Sequence, residues 1–500
     1  MQRRSSGREK PTRNWVVNDL NVAQQRPIDN LANQYTQLYS SPCSLFELFL
    51  DDDVVNMLVE NTNKYAMQKG SNFKTTHEEF RLFIAILFVS GYNSLPRRKM
   101  YWENMADVRN EAIASAMSRN RFDELMRFVH VADNDNLNAD DRFAKVRPLF
   151  TVLNTRFLSA FPQQHLSLSI DESMAPYYGR HGAKQCIRGK PIRFGYKNWS
   201  INTPLGFCVK LDPYQGAGTT DPILGLGGGV VMKLIADLPP AKYTLFFDNF
   251  FTSLKLIDAL EAKGFGATGT LRANRVEQCP LTPVNNMKKT ARGTFEYQSE
   301  EGKNLIVVRW NDNNVVSLAS NCHGVEPLGT AKRWSAAQKK FVEITQPFVV
   351  SQYNANMGGV DRMDQNIGAY RICIRNKKWW WPLFAYLLDV SMQNAWLLHR
   401  LTAAHDTQPL ENLEFRRQIC HVYFMKYTNR QPSGARPLGR PQPLTTRVPK
   451  ESRVVHFDGH EIIPSERKRR CAECKTDSRR MCPKCDVGIH VECFFKFHAQ

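Results

Sequence analysis

The sequence predicts a multidomain α/β protein: an all-α N-terminal region, a mixed α/β core and a small cysteine-rich tail built around metal. Three observations carry this. Apolar residues recur at three- and four-residue spacing from about Leu45 to Phe161, the period of helices packed by one face. At His165 the period drops to two, in runs rich in aromatic and branched residues bounded by Gly and Pro. Five of the twelve cysteines fall in the last thirty residues, in paired C-x2-C steps.

Size and composition bound the rest. Five hundred residues suggest two to four domains, and 42% hydrophobic with 23% charged residues excludes a wholly disordered chain. The longest chargeless apolar stretch, Leu82 to Pro96, is too short to span a bilayer, so no membrane role is expected. The N-terminus, MQRRSSGREKPTRNW, has no apolar core behind its basic residues, and a soluble, non-secreted chain is expected. The other seven cysteines are scattered singly, the pattern of buried thiols in a reducing compartment. A net charge of +19 points to an anionic partner, most commonly nucleic acid.

In chain order, residues 1–30 are polar, basic and poorly periodic, and read as a flexible basic arm. Residues 31–164 form the helical region, with SLFELFLDDDVVNMLVENTNKYAM, then THEEFRLFIAILFVSGY behind a Thr-x-x-Glu capping signature, then RNRFDELMRFVHV. Residues 165–271 carry the strands LSLSIDESM, NWSINTPLGFCVKLD and YTLFFDNFF. Helices at GVVMKLIADL and SLKLIDALEAKG suit crossovers in an α/β sheet. Residues 272–345 include three short alternating strands with EEG and NDNN turns, a β-rich meander that reads as a separate unit. Helices return over 346–430, at GGVDRMDQNIGAY and WPLFAYLLDVSMQNAWLLHRL. Residues 431–466 are a Pro- and Arg-rich linker, and 467–500 the cysteine-rich domain.

Two carboxylates stand out. Asp171 in LSLSIDESM and Asp248 in YTLFFDNFF sit in apolar strands, where an unpaired charge would cost several kcal/mol, on the order of a buried ion. Asp361 and Asp364, at i and i+3 after NMGG, share a helix face and can point into one site. Oxygen ligands from scattered elements are what Mg²⁺ or Mn²⁺ prefers, and two such ions would serve displacement at phosphorus. Glu172, one step from Asp171, should face the other way.

Just beyond lies the sharpest basic zone. Ser173 to Leu211 has seven Lys or Arg and no acid. Arg180, Lys184, Arg188, Lys190, Arg193 and Lys197 interleave with Tyr177, Tyr178, Phe194, Tyr196 and Trp199, which suits a groove that tracks a DNA backbone. Lys377 and Lys378, just before Trp379–Pro382, are further expected DNA contacts. Those tryptophans either stack on flipped bases or pack a helix, and packing is the better reading because neighbours on a helix face different ways.

The residues SIDESMAPYYGRHGAKQCIRGKPIRFGYK, FFDNFFTS and GGVDRMDQN, in this order, resemble the piggyBac family of DNA transposases and their domesticated descendants. The resemblance runs from about Leu45 to the C-terminus. It implies an RNase H-like catalytic core in two parts, 165–271 and 346–430, interrupted by the insertion domain 272–345. It also implies a catalytic triad of Asp171, Asp248 and Asp361, binding Mg²⁺ or Mn²⁺, with Asp364 a further acid. In such enzymes a metal-bound water nicks double-stranded DNA at the terminal inverted repeats. The freed 3′-hydroxyl forms a hairpin on the opposite strand, and after reopening it joins a TTAA target. The helical region would serve DNA contacts and homodimerisation. The alternative is a domesticated nuclear protein that binds DNA or chromatin without transposition.

The tail runs Cys471-x2-Cys474-x7-Cys482-x2-Cys485-x4-His490-x2-Cys493-x4-His498, strong spacing for Zn²⁺. These are seven ligands, one short of two closed sites, so His456 or His460 supplies the eighth or one zinc keeps a labile position. The family's cross-braced two-zinc module is the implied fold. Such a short module cannot bury enough surface to fold without metal. Arg467, Lys468, Arg469 and Arg470 favour DNA and also read as a nuclear localisation signal.

Overall fold

A computed structural model describes residues 13–20, 41–162, 166–216, 221–402, 408–428 and 460–499, which fall into two compact units. The first takes 13–20, 138–144 and 150–367 among these. Its framework is one mixed sheet. In chain order the strands are β1 (Trp15–Val16), β2 (Ser167–Pro176), β3 (Gln185–Cys186), β4 (Phe194–Asn202), β5 (Cys208–Pro213), β6 (Thr244–Phe247), β7 (Gly266–Thr270), β8 (Phe295–Glu300), β9 (Ile306–Asn311) and β10 (Val315–Ser320). Hydrogen bonds order them β1-β8-β9-β10-β7-β6-β2-β4-β3, with β5 also pairing with β4.

Strands β2, β6 and β7 run parallel. Parallel neighbours need crossovers, and the helices Gly225–Ile235 and Leu254–Glu261 lie before and after β6 in the chain. Ser253 caps the second, its hydroxyl accepting from the Leu256 amide at 3.2 Å. By contrast β2, β4 and β5 are antiparallel. The helix Gly359–Ala369 lies against β2 and β4 through small residues. A Cβ on Gly359 would run into the Thr203 carbonyl and the Ser169 hydroxyl, so this approach requires glycine.

The meander expected over 272–345 is present as β8, β9 and β10, but it is continuous with the main sheet. β10 pairs with β7 from Leu318↔Thr270 to Ser320↔Thr268. A second hairpin follows, β11 (Gly329–Ser335) with β12 (Lys340–Gln346), which the sequence pattern does not predict. Its turn, Ala336-Ala337-Gln338-Lys339, carries neither Gly nor Asn to announce it.

The N-terminal arm also departs from expectation. Residues 13–20 are anchored, because β1 pairs with β8 and the buried Arg13 guanidinium meets three carboxylates. Asp258 and Glu277 each lie at 2.7 Å, and Glu300 is the third. Three acids around one buried cation outweigh its desolvation.

The second unit takes 41–137, 145–149, 368–402 and 408–428, with the tail 460–499. Its helices include Asp52–Gln68, His77–Tyr92, Arg119–Phe128, Trp381–Thr402 and Asn412–Tyr427. The expected cap holds, with the Thr76 hydroxyl accepting from the Glu79 amide at 3.3 Å. The helix Trp381–Thr402 is buried along almost all of its length. Its buried Asp389 is compensated by Arg416 at 3.3 Å and by the Ile372 amide at 3.1 Å. The tryptophans pack, as favoured: Trp380 and Trp381 are buried, and the Trp381 indole donates to the Ile374 carbonyl at 2.8 Å.

The tail is three short strands, β13 (Ile463–Arg470), β14 (Asp477–Cys482) and β15 (Val487–Gly488), followed by the helix Val491–Ala499. Its apolar core holds little beyond Ile489, Phe494, Phe497 and the cysteines themselves. Of the expected linker, 431–459 lies outside the described residues. The stretch 460–466 belongs to the tail instead, since β13 starts at Ile463.

Candidate active site

The register of the sheet brings two acids together. β2 and β6 pair in parallel up to Ile170↔Phe247, so Asp171 and Asp248 are the next residue on each chain. Asp171 Oδ1 accepts from the Glu172 amide at 2.7 Å, and Asp248 Oδ1 accepts from the Phe250 amide at 2.8 Å. Burial pushes the Asp171 carboxyl up to about 7. Lys190 pulls against this, while Glu172 and Asp248 add like charge. Burial also raises Asp248.

The third acid comes from the first turn of the helix Gly359–Ala369, where Asp361 is exposed. One turn later Asp364 faces the sheet, and its Oδ1 accepts from the Ser173 hydroxyl at 2.5 Å. The four acids therefore do not act as one set of equivalents: Asp364 is engaged with β2, while Asp361 acts on Lys190 together with Asp171 and Glu172. Tyr353, from the helix Phe348–Asn356, lies within electrostatic range of both Asp171 and Asp248. Arg272 acts on Asp248 and donates to Asn249 Oδ1 at 2.9 Å, and Arg275 donates to the Thr252 carbonyl at 2.9 Å. No pattern in the sequence marks Tyr353, Arg272 or Arg275, because a lone aromatic or a single cation carries no period.

Three carboxylates from two parallel strand ends and a helix supply only hard oxygen donors. That donor set fits Mg²⁺ or Mn²⁺ and leaves softer, thiolate-seeking metals aside.

The basic segment divides. Arg180, Arg188 and Arg193 are exposed, beside Tyr178 at 78% exposure and Phe194 at 37%. The other three are engaged with protein. Lys184 donates to the Gly179 carbonyl at 2.9 Å. Lys190 and Lys197 flank Glu172, at 3.5 and 3.6 Å. Lys197 also lies over the Trp199 ring at 3.9 Å, and burial lowers its pKa, so it is a structural cation rather than a groove contact. Glu172 does lie on the opposite face of β2 from Asp171, paired in register with Trp199. In the second unit Lys377 is exposed, whereas Lys378 turns inward. Its ammonium donates to the Val129 carbonyl at 2.5 Å, and burial lowers its pKa to about 7. The inward turn removes Lys378 from the DNA contacts expected of it.

The tail gathers two sets of four ligands. Cys471, Cys474, His490 and Cys493 form one, and His460, Cys482, Cys485 and His498 the other, the ligand atoms of each lying within 4.8 Å of one another. The sets alternate along the chain, as in a cross-brace, and either could hold a zinc ion. His460 completes the second set, while His456 lies outside the described residues. Ring orientation is fixed from behind. His498 Nδ1 meets the Phe494 carbonyl at 2.8 Å and presents Nε2 to Cys485. His490 Nε2 meets the Asp477 carbonyl at 3.0 Å and presents Nδ1 to Cys474. Of the run Arg467–Arg470 on β13, Arg469 pairs with Asp486 at 2.7 Å and the other three are exposed.

A family model described as Transposase IS4 matches residues 41–396. The human PiggyBac transposable element-derived protein 3 is 41% identical over 476 residues, covering 94% of this chain and 78% of that protein. The chain belongs to the piggyBac transposase family. The human PiggyBac transposable element-derived protein 2 is 40% identical over 502 residues, covering 98% of this chain and 82% of the relative. The fold of this piggyBac family member is similar to a chain in the cryo-EM structure of a piggyBac transposase synaptic complex with hairpin DNA. The TM-score is 0.65 at 20% identity, covering 92% of this chain and 99% of that one.

Proposed function

We propose that this chain is a cut-and-paste DNA transposase with an RNase H-like catalytic domain split around a β-rich insertion, using Asp171, Asp248 and Asp361 to run phosphoryl transfer. The observation that carries the reading is the side-by-side register of Asp171 and Asp248 at the ends of β2 and β6, with the Asp361 helix held to β2 by the Ser173–Asp364 hydrogen bond. When bound, Mg²⁺ or Mn²⁺ supplies Lewis-acid activation of the attacking oxygen and stabilisation of the leaving one.

The chain's own groups do the rest. The three carboxylates fix the reacting centre, and Ser173 with Asp364 keeps the Asp361 helix on the sheet. Arg180, Arg188 and Arg193, with Tyr178 and Phe194, offer phosphate contacts and stacking surfaces for the double-stranded terminal inverted repeats. One such site would nick the ends, form and open hairpins, and join the 3′-hydroxyl at TTAA. The helical region would bring two copies together, and the tail, with two Zn²⁺, would read the end sequence. Arg467, Lys468 and Arg470 are exposed, which supports a further role in nuclear import and a nuclear location.

A second reading has its own support: the curated relatives at about 40% identity are named as element-derived proteins. It makes this chain a domesticated nuclear protein that binds DNA or chromatin without moving it. Excision from a plasmid carrying element ends flanked by TTAA separates the two. Precise excision establishes the transposase, and end binding with no strand cleavage establishes the domesticated protein.

A further inference from the structure

The two-stranded ribbon β11–β12 has two unlike faces. In its register Ala331↔Ile344 and Arg333↔Val342 alternate with Lys332↔Glu343 and Trp334↔Phe341, so successive pairs point to opposite sides. The inner side is fixed. Ala331 and Ile344 are buried in the cluster that holds Trp310, Val349 and Val350. Arg333 meets Asp312 at 2.8 Å, and the Trp310 indole donates to the Thr345 carbonyl at 2.8 Å. Arg292 ties down the strand near its tip, donating to the Trp334 carbonyl at 3.3 Å. The outer side is open. Trp334 is 54% exposed and Phe341 68%, although the two rings meet edge to face at 5.3 Å. Beyond Trp334 come Ser335, Ala336 and Ala337, whose side chains are too small to cover either ring. Lys332, Lys339 and Lys340 are exposed around the pair, and Glu343 is the one acid on the ribbon.

We propose that the β11–β12 ribbon is a DNA-binding surface, on which Trp334 and Phe341 stack with an unpaired base while Lys332, Lys339 and Lys340 take the flanking phosphates. DNA as the partner comes from the transposase reading, on which the proposal rests, although none of the three aspartates is involved. Size decides against a protein occupant. A stable protein interface buries about 800 Å² on each partner. Two rings of about 150–250 Å² each, partly covered already, fall well short of that, whereas a base needs a single ring face. A protein partner would also cover three ammonium groups against one carboxylate, and a phosphodiester strand supplies the missing negative charge at every nucleotide. Because Arg333, Arg292 and the apolar cluster hold the inner side, the rings are preorganised and binding orders little. A paired duplex has its base faces already stacked, so the surface selects DNA that is looped, bulged or opened.

The test uses the full-length, zinc-loaded protein and two DNA probes with the same stem, one closed by a loop of unpaired thymines and one fully paired. Trp334→Ala should weaken binding of the looped probe by about tenfold, the scale of one lost base–aromatic stack, and of the paired probe by less than about twofold. Trp334→Phe, which keeps a ring, should stay near the parental affinity. Lys339→Gln combined with Lys340→Gln should weaken both probes and lower the salt slope by about 0.9 for each phosphate no longer neutralised. With 5-iodouracil in the loop, ultraviolet cross-links to the parental chain should map by peptide mass spectrometry to Trp334 or Phe341. Looped-probe affinity unchanged in Trp334→Ala, or cross-links lying wholly elsewhere, would overturn the proposal and leave stem binding by Arg180, Arg188 and Arg193 standing. A change in the sedimentation of Trp334→Ala with DNA affinity intact would make the ring pair a protein contact and likewise overturn it. A parental chain that binds neither probe would sink the proposal together with the DNA-binding reading.

Discussion

The Ser173 hydroxyl donates to Asp364 Oδ1 at 2.5 Å, and that one contact joins the strand bearing Asp171 to the helix bearing Asp361. A short hydrogen bond to a carboxylate stabilises by roughly 1.5–3 kcal/mol, enough to hold a helix in place. Ser173→Ala should therefore slow strand cleavage by roughly tenfold while leaving duplex binding unchanged, since it touches no exposed cation. Single-turnover cleavage beside mobility shifts on one duplex would measure both.

Zinc should be stoichiometric and structural. Two ions per chain are expected by elemental analysis, falling to one in His460→Ala, with the set around Cys471 retained. Strong chelation should unfold the tail, because the few apolar residues of its core cannot offset the chain entropy alone. Limited proteolysis would then cut between residues 460 and 499.

Salt should sort the cations. Removing Arg180, Arg188 and Arg193 together should flatten the dependence of DNA affinity on salt, by about 0.9 in log slope for each phosphate no longer neutralised. Lys378→Met and Lys197→Met should leave the slope alone, since both ammonium groups are engaged inside the protein. Fluorescence anisotropy over a salt series checks this.

Acid should weaken the helical unit through His130. This imidazole is buried, stacks on Tyr65 at 4.1 Å and meets Asn134 Oδ1 at 3.0 Å, and burial lowers its pKa to about 4. The unfolded chain takes up a proton below about 6.5 that the folded one refuses until about 4, so stability falls as pH drops through that window. Across the whole window the contribution is about 3 kcal/mol. A melting temperature for His130→Gln that is flatter than the parental one between about pH 7 and pH 5 is the expected result.

Local chemistry was legible in the sequence, and distant pairing was not. Asp171 and Asp248 announce themselves because each interrupts an apolar strand. The Thr76 cap reads directly, since its partner is three residues away. The basic zone could be counted but not assigned, because the acid that engages Lys190 and Lys197 is Glu172, just outside the acid-free stretch, and only the fold of β2 against β4 reunites them. Arg13 gave still less warning, with partners as far away as Glu300. His456 and His460 are equivalent candidates by spacing, and only the fold sets His460 beside Cys482, Cys485 and His498.

Asp171, Asp248 and Asp361 together make one metal-dependent cleavage site in this reading, and strand cleavage tests it most directly. The substrate is a duplex carrying an element end flanked by TTAA, in Mg²⁺, and the comparison is between the parental chain and Asp171→Asn, Asp248→Asn and Asp361→Asn. Each variant should bind the duplex as the parent does and cleave it at least about a hundredfold more slowly, and excess EDTA should silence the parent. Parental cleavage that persists in EDTA, or any one of the three variants cutting at the parental rate, would contradict it.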